Sequence, residues 1–239
     1  MNRIVIFSSA RSGGNLLDEM LSQYESVLSF GELFSRKQHN TKSFFLKDIP
    51  DLYSVSNKQI IDTLEKKYHK TYNTWTSRYH NAHFRFSFNQ TIYEDLLNFK
   101  KILLYRENFL NKIFSFNVAI YLKNWHYTYD ETPPDYSKFK LYYNPGSLIK
   151  DFKRTKSYYN NLLERYDDLI VIKYEDLIQW KNLDHITIEL GINTARTNKK
   201  IPTQHINKSD DGYKNIINLK ELNSCKLILK DTEAGLRFA

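Results

Sequence analysis

The sequence predicts an α/β protein with a mostly parallel central sheet flanked by helices. Short apolar runs read as buried strands at residues 3–7, 102–105 and 169–172. Helical patterns alternate with those strands, the arrangement that builds parallel sheets. The first strand also enters its helix through a loop of small residues, Ser8-Ser9-Ala10-Arg11-Ser12-Gly13-Gly14-Asn15.

That loop is the most informative segment. Leu16, Leu17, Met20, Leu21 and Tyr24 follow it at helical spacing, so strand passes directly to helix. Backbone N–H groups and the positive end of the helix dipole then converge, which suits a phosphate or sulfate. Only seven glycines occur in the 239 residues, and two stand side by side here. A magnesium-nucleotide loop ending in Gly-Lys-Ser/Thr is absent, because Gly14-Asn15-Leu16 occupies that place. A G-x-G-x-x-G dinucleotide fingerprint also fails over Ser12–Leu17.

The remaining elements follow in order. A short strand is expected at residues 27–30, ending at Gly31-Glu32-Leu33-Phe34. Ser56 and Gln59 form a capping-box pattern ahead of a helix whose apolar face is Ile60, Ile61, Leu64 and Tyr68. Residues 83–88 alternate as a strand with Phe84, Phe86 and Phe88 on one face and Arg85 turned the other way. Arg106 follows the 102–105 strand, and a helix then carries Leu110, Ile113, Phe114, Val118 and Tyr121.

Residues 123–147, aromatic and holding Pro133-Pro134 and Pro145-Gly146, read as an aromatic loop insertion. Helices are expected at 152–166 and at 185–190, the latter closed by Gly191. Asn218 and Glu221 are placed to cap a last helix. The length suits one domain, 1–239, with a real core.

Composition narrows the function. The net charge of +8 favours a polyanionic partner. The basic residues are scattered, without the stripe or arm expected for nucleic acid. No apolar run approaches the roughly 20 residues of a membrane span. The single cysteine, Cys225, has no internal disulfide partner, and no Cys/His cluster has zinc spacing. These features predict a cytoplasmic protein with no metal, and a homo-oligomer is compatible with them.

Arg106 and Ser115 form a second constellation. If the helix begins near Phe109, Ser115 lies roughly 9 Å along it at about 1.5 Å per residue. A guanidinium fork and a hydroxyl suit one phosphate. Two anion sites on one sheet edge suit a ligand with phosphates at both ends.

Here the chain resembles the sulfotransferase superfamily, which uses 3′-phosphoadenosine 5′-phosphosulfate (PAPS). It is most similar to the bacterial carbohydrate type, whose loop reads Arg-Ser-Gly-Ser-x-Leu-Leu where this chain has Arg11-Ser12-Gly13-Gly14-Asn15-Leu16-Leu17. Leu104-Tyr105-Arg106 through Phe114-Ser115 resembles the family's 3′-phosphate element. Val171-Ile172-Lys173-Tyr174-Glu175-Asp176-Leu177 is similar to its Tyr-Glu-Asp-Leu strand end, and residues 208–222 to its C-terminal region. The loop departs from the family at Gly14 and Asn15, where Ser or Thr hydroxyls are usual.

The resemblance implies a P-loop-like fold and sulfuryl transfer from PAPS, without metal, to a saccharide or glycolipid hydroxyl. It places the 5′-phosphosulfate on Arg11, Ser12, Gly13, Gly14, Asn15 and Leu16, and the 3′-phosphate on Arg106 and Ser115. Arg11 would balance charge on the bridging and sulfuryl oxygens. Glu32 is the candidate general base. Arg85, where the family carries a Lys, is a further catalytic candidate, and His80 and His83 are alternative bases. Residues 123–147 would lie on the acceptor side, with Glu175 and Asp176 structural. A P-loop-like nucleotide kinase and a non-catalytic nucleotide-binding relative are the alternatives.

Overall fold

The computed structural model describes residues 1–33, 56–80, 94, 96–123, 135, 138–180, 182–197 and 212–221, with backbone alone for His80, Gly212 and Tyr213. The chain divides into two compact units. The first comprises residues 1–106 and 168–201, the second residues 107–167 and 202–239.

The first unit holds a five-stranded sheet. Its strands are β1 (Asn2–Ser8), β2 (Val27–Ser29), β3 (Thr74–His80), β4 (Lys100–Tyr105) and β5 (Leu169–Lys173), in the order β2-β3-β1-β4-β5. Every strand pair is parallel. After β1 the chain places β2 at one edge and returns with β3 between β2 and β1, then crosses to the other side with β4 and β5. The reversal falls between β1 and β4, and ligands of open parallel sheets sit beyond the strand ends at such a point. Pairing of Ser8 with both His80 and Leu104 brings three strand ends to that rim.

Both faces of β1 are apolar, as a central parallel strand requires. Ile4 and Ile6 meet Leu17, Met20 and Leu21 of helix α1 (Gly14–Leu21), together with Ile102, Leu104 and Ile172. Val5 and Phe7 are also fully buried, and Phe7 meets Tyr79 edge-on at 6.3 Å. Trp75 packs edge-on against both Phe30 and Phe99.

Helix α2 (Asn57–Tyr68) starts where its capping box predicts: Ser56 Oγ accepts from Gln59 N at 3.2 Å and Gln59 Oε1 from Ser56 N at 2.8 Å. It is tied to the sheet through Glu65, which accepts from Arg3 at 2.7 and 2.8 Å and from Trp75 Nε1 at 3.0 Å. At the opposite end of the sheet from the loop, Lys101 is buried, and its Nζ donates to the carbonyls of Leu97 and Phe99 and to Asp168.

Strand β3 has no counterpart among the elements read from sequence. Its inward residues include Thr74, Thr76 and Ser77, all fully buried, so an apolar-run criterion passes over it. The strand expected at 83–88, with Arg85, lies outside the described residues.

In the second unit, α3 (Phe109–Leu122) and α4 (Pro145–Arg165) share a core built from Phe109, Ile113, Phe114, Leu148 and Phe152, with Ile216. Phe109 and Phe152 meet edge-on at 5.1 Å. Helix α4 begins seven residues before the expected 152, at Pro145, so Pro145-Gly146-Ser147 belong to a helix start rather than to the loop read over 123–147. Asn144 caps it by accepting from Ser147 N, and Pro145 at the first position needs no hydrogen-bonded N–H.

Two short helices close the first unit. The Tyr174-Glu-Asp-Leu segment is helix α5 (Tyr174–Leu177), and α6 (Asp184–Leu190) stops at Gly191 in the left-handed conformation (φ 66). Tyr24, just past α1, donates from its hydroxyl to Asp184 at 2.7 Å and accepts there from Leu183 N at 3.1 Å.

Candidate functional site

The loop between β1 and α1 turns through two residues of positive φ. Arg11 (φ 64) and Gly13 (φ 91) are both left-handed. For arginine that conformation is uncommon and strained, and such residues gather at functional sites. Gly13 is the N-cap of α1, with no side-chain cap and no acidic residue in the first turn. The first-turn amides of Gly14, Asn15 and Leu16 therefore lack a capping carboxylate that would compete with an anion.

The loop's side chains divide by role. Ser12 is fully buried, its hydroxyl 2.7 Å from that of Ser9, so it braces the turn from within. Leu16 packs its side chain against the core cluster. Arg11 is half-buried. Asn15 accepts from Arg78 through Oδ1, which fixes its amide and leaves Nδ2 as the donating end.

Arg78, near the end of β3, is the residue that sequence reasoning missed. Its Nε pairs with Asp18 of α1 at 3.0 Å, and its Nη1 stands 3.7 Å from Glu32 Oε1. All three side chains are largely buried, at 12, 8 and 10% exposure. Asp18 also accepts from Thr76 Oγ1 at 2.8 Å. One guanidinium thus joins the loop, the helix and the candidate base. A cation at the carboxyl end of a buried strand was the available signal, but the strand itself went unread.

Glu32 is set in place by the backbone around it. The chain after β2 turns at Gly31 (φ 60), whose carbonyl accepts from Arg78 N at 2.7 Å and Ser77 Oγ at 3.1 Å. Leu33 N then donates to Ser77 Oγ at 3.3 Å. Glu32 is held between these anchors, on the same rim as the loop.

Gly14 is closely approached by neighbouring side chains. A Cβ there would stand 3.3 Å from Arg78 Cδ and 3.4 Å from Ser8 Oγ, so a larger residue would need the arginine stem to shift by a few tenths of an ångström.

Arg106 follows β4 and is buried. Its Nη1 reaches the Arg11 carbonyl at 3.4 Å, and its guanidinium lies 4.4 Å over the ring of Tyr174. The guanidinium thus faces the loop, and the glycine pair belongs to the same rim. Ser115 lies buried in α3 of the second unit. Glu175 and Asp176 form the first turn of α5, where carboxylates complement a helix start. His80 ends β3, while His83 and Arg85 lie outside the described residues. No group of three metal-ligating side chains occurs among the described residues, and none of their helices is long and apolar enough to cross a membrane.

Fold and loop together define an α/β protein with a left-handed, glycine-containing loop at the switch point of a parallel sheet. No protein-family model and no curated protein matches the chain. Among solved structures, it is similar to the sulfotransferase domain of the Synechococcus PCC 7002 olefin synthase, with 14% identity over 88% of this chain and 80% of that one and a TM-score of 0.41. It is also similar to a sulfotransferase from Alicyclobacillus acidocaldarius, with 15% identity over 86% of this chain and 89% of that one and a TM-score of 0.43.

Proposed function

We propose that the protein is a sulfotransferase that moves a sulfuryl group from PAPS to a hydroxyl of a saccharide or glycolipid. One observation carries this reading. A strained, uncapped loop with Arg11, a second arginine and a buried carboxylate, Glu32, share the rim of one parallel sheet. The motif resemblance in the sequence supplies the donor's identity.

In this reading the acceptor oxygen attacks sulfur while the bond from sulfur to the bridging phosphate oxygen breaks. The acceptor proton passes to Glu32, and 3′-phosphoadenosine 5′-phosphate leaves on the opposite side. Such a transfer depends on positioning and on donors aimed at developing charge. Arg11 and the amides of Gly14, Asn15 and Leu16 hold the sulfuryl end. Arg106 serves the nucleotide's phosphate charge. Arg78, bound to Asn15 and beside Glu32, aligns the loop with the base.

The test is thermal unfolding with and without the bisphosphate product. Saturating 3′-phosphoadenosine 5′-phosphate at about 100 times its Kd should add roughly 2.7 kcal/mol of stability and raise Tm. Arg106→Ala should abolish the shift. Stabilisation by magnesium-ATP, with no response to the bisphosphate, would instead favour a kinase. Glu32→Gln should retain the shift while losing sulfate transfer by about 100-fold or more, the scale of a general base.

A further inference from the structure

We infer that the second unit carries a docking surface for a bilayer rich in anionic lipid, built where the chain pairs Leu141 with Ile216. The inference goes beyond the sulfotransfer reading and does not depend on it. The two segments run parallel: Leu141 N donates to the Asn215 carbonyl at 3.2 Å, and Ile217 N donates to the Leu141 carbonyl at 2.7 Å. Side chains alternate along such extended segments. Leu141 and Ile216 turn inward to the core of Phe109, Phe114 and Phe152, so their neighbours Tyr142 and Ile217 turn outward together. There they are 63 and 65% exposed. Tyr121, near the end of α3, is 74% exposed, and its ring meets Phe139 of the same segment at 5.7 Å.

Cations accompany this apolar group. Lys140 shares the outward side of the alternation with Tyr142, and Lys123 ends α3 two residues after Tyr121. Lys138, Lys214 and Lys220 are also exposed on the two segments. The carboxylates described there are Asp135, 3.7 Å from Lys138, and Glu221, which accepts from Asn218 at 3.0 Å. Tyrosine suits a membrane boundary because its ring is apolar while its hydroxyl stays wet. Lysine stems lie along apolar surface while their ammonium groups reach lipid phosphates. A second copy of the chain fits worse. In a two-fold contact the patch would face itself, setting lysine against lysine. Three apolar side chains also supply only part of the roughly 800 Å² per partner that a stable interface buries. A nucleic acid would engage the lysines but leave Ile217 in water.

Cosedimentation with vesicles tests this. The wild type should pellet with vesicles of equal parts phosphatidylglycerol and phosphatidylcholine, and stay in solution with phosphatidylcholine alone. Replacing both Tyr142→Ser and Ile217→Ser should weaken binding about tenfold or more, the scale of one buried aliphatic side chain. Lys140→Ala should weaken it about fivefold, the scale of one basic residue at an anionic surface. In a Tyr142→Trp variant, tryptophan emission should shift to the blue with the anionic vesicles, relative to wild type under the same conditions. Failure of the wild type to pellet with anionic vesicles would overturn the inference, as would undiminished pelleting of the double serine variant. A dimer that the serine changes dissociate would overturn it too, assigning the patch to self-association. None of these readouts involves the bisphosphate, so their failure leaves the donor reading to its own test.

Discussion

At the residue scale the rim is governed by close approaches between loop and side chain. Gly13 combines φ 91 with a Cβ position 2.4 Å from Tyr174, so Gly13→Ala meets both backbone strain and a clash. A loss of about 2–4 kcal/mol is expected, combining strain with overpacking, and urea denaturation measures it. Arg78 is constrained by charge. Arg78→Met would leave Asp18 buried beside Thr76 with its cation gone, a change that costs about 3–5 kcal/mol for a buried pair. The same variant should weaken bisphosphate binding, because Asn15 loses the bond that orients its amide.

At the element scale, ends and anchors decide what the sequence reveals. Ser56 and Gln59 announce α2 through a local hydrogen-bond pattern, and Gly191 ends α6 because a left-handed stop favours glycine. Both signals are complete within a few residues. The β1 loop is legible for the same reason, with glycines, serines and arginine placed between an apolar strand and a helical period. β3 is different. Its burial depends on the neighbouring strands β2 and β1, which admit small hydroxyl residues at Thr74, Thr76 and Ser77. Arg78 and its network were hidden with that strand. The start of α4 was hidden by Pro145-Gly146, a pair that signals a turn in isolation but serves a helix when Asn144 caps it.

The tie between α2 and the sheet carries a pH signature. Burial pushes the Glu65 carboxyl upward, but hydrogen bonds from Arg3 and Trp75 and the Arg3 charge outweigh it, so the group sits below its ordinary value. Its contribution is present above the unfolded carboxylate pKa, about 4.3, and fades as pH falls through the lower folded value. Urea midpoints of wild type and Glu65→Gln should therefore differ at neutral pH and converge in acid. A constant gap at all pH values would assign the effect to packing rather than to charge.

For the whole molecule, 35 lysines and arginines against 27 acidic residues leave the surface cationic, in keeping with a bisphosphate ligand. Affinity for 3′-phosphoadenosine 5′-phosphate should fall between about 0.1 and 1 M salt, where the Debye length drops from about 10 to about 3 Å. Calorimetry at several salt concentrations reads this directly.

Not every cation takes part in that field. Lys101 is 2% exposed, with its amine committed to two carbonyls and to Asp168. An acylating reagent that modifies surface amines within minutes should leave this one untouched until the sheet opens. The chain thereby contains its own chemical clock for unfolding, readable by peptide mass without any added dye.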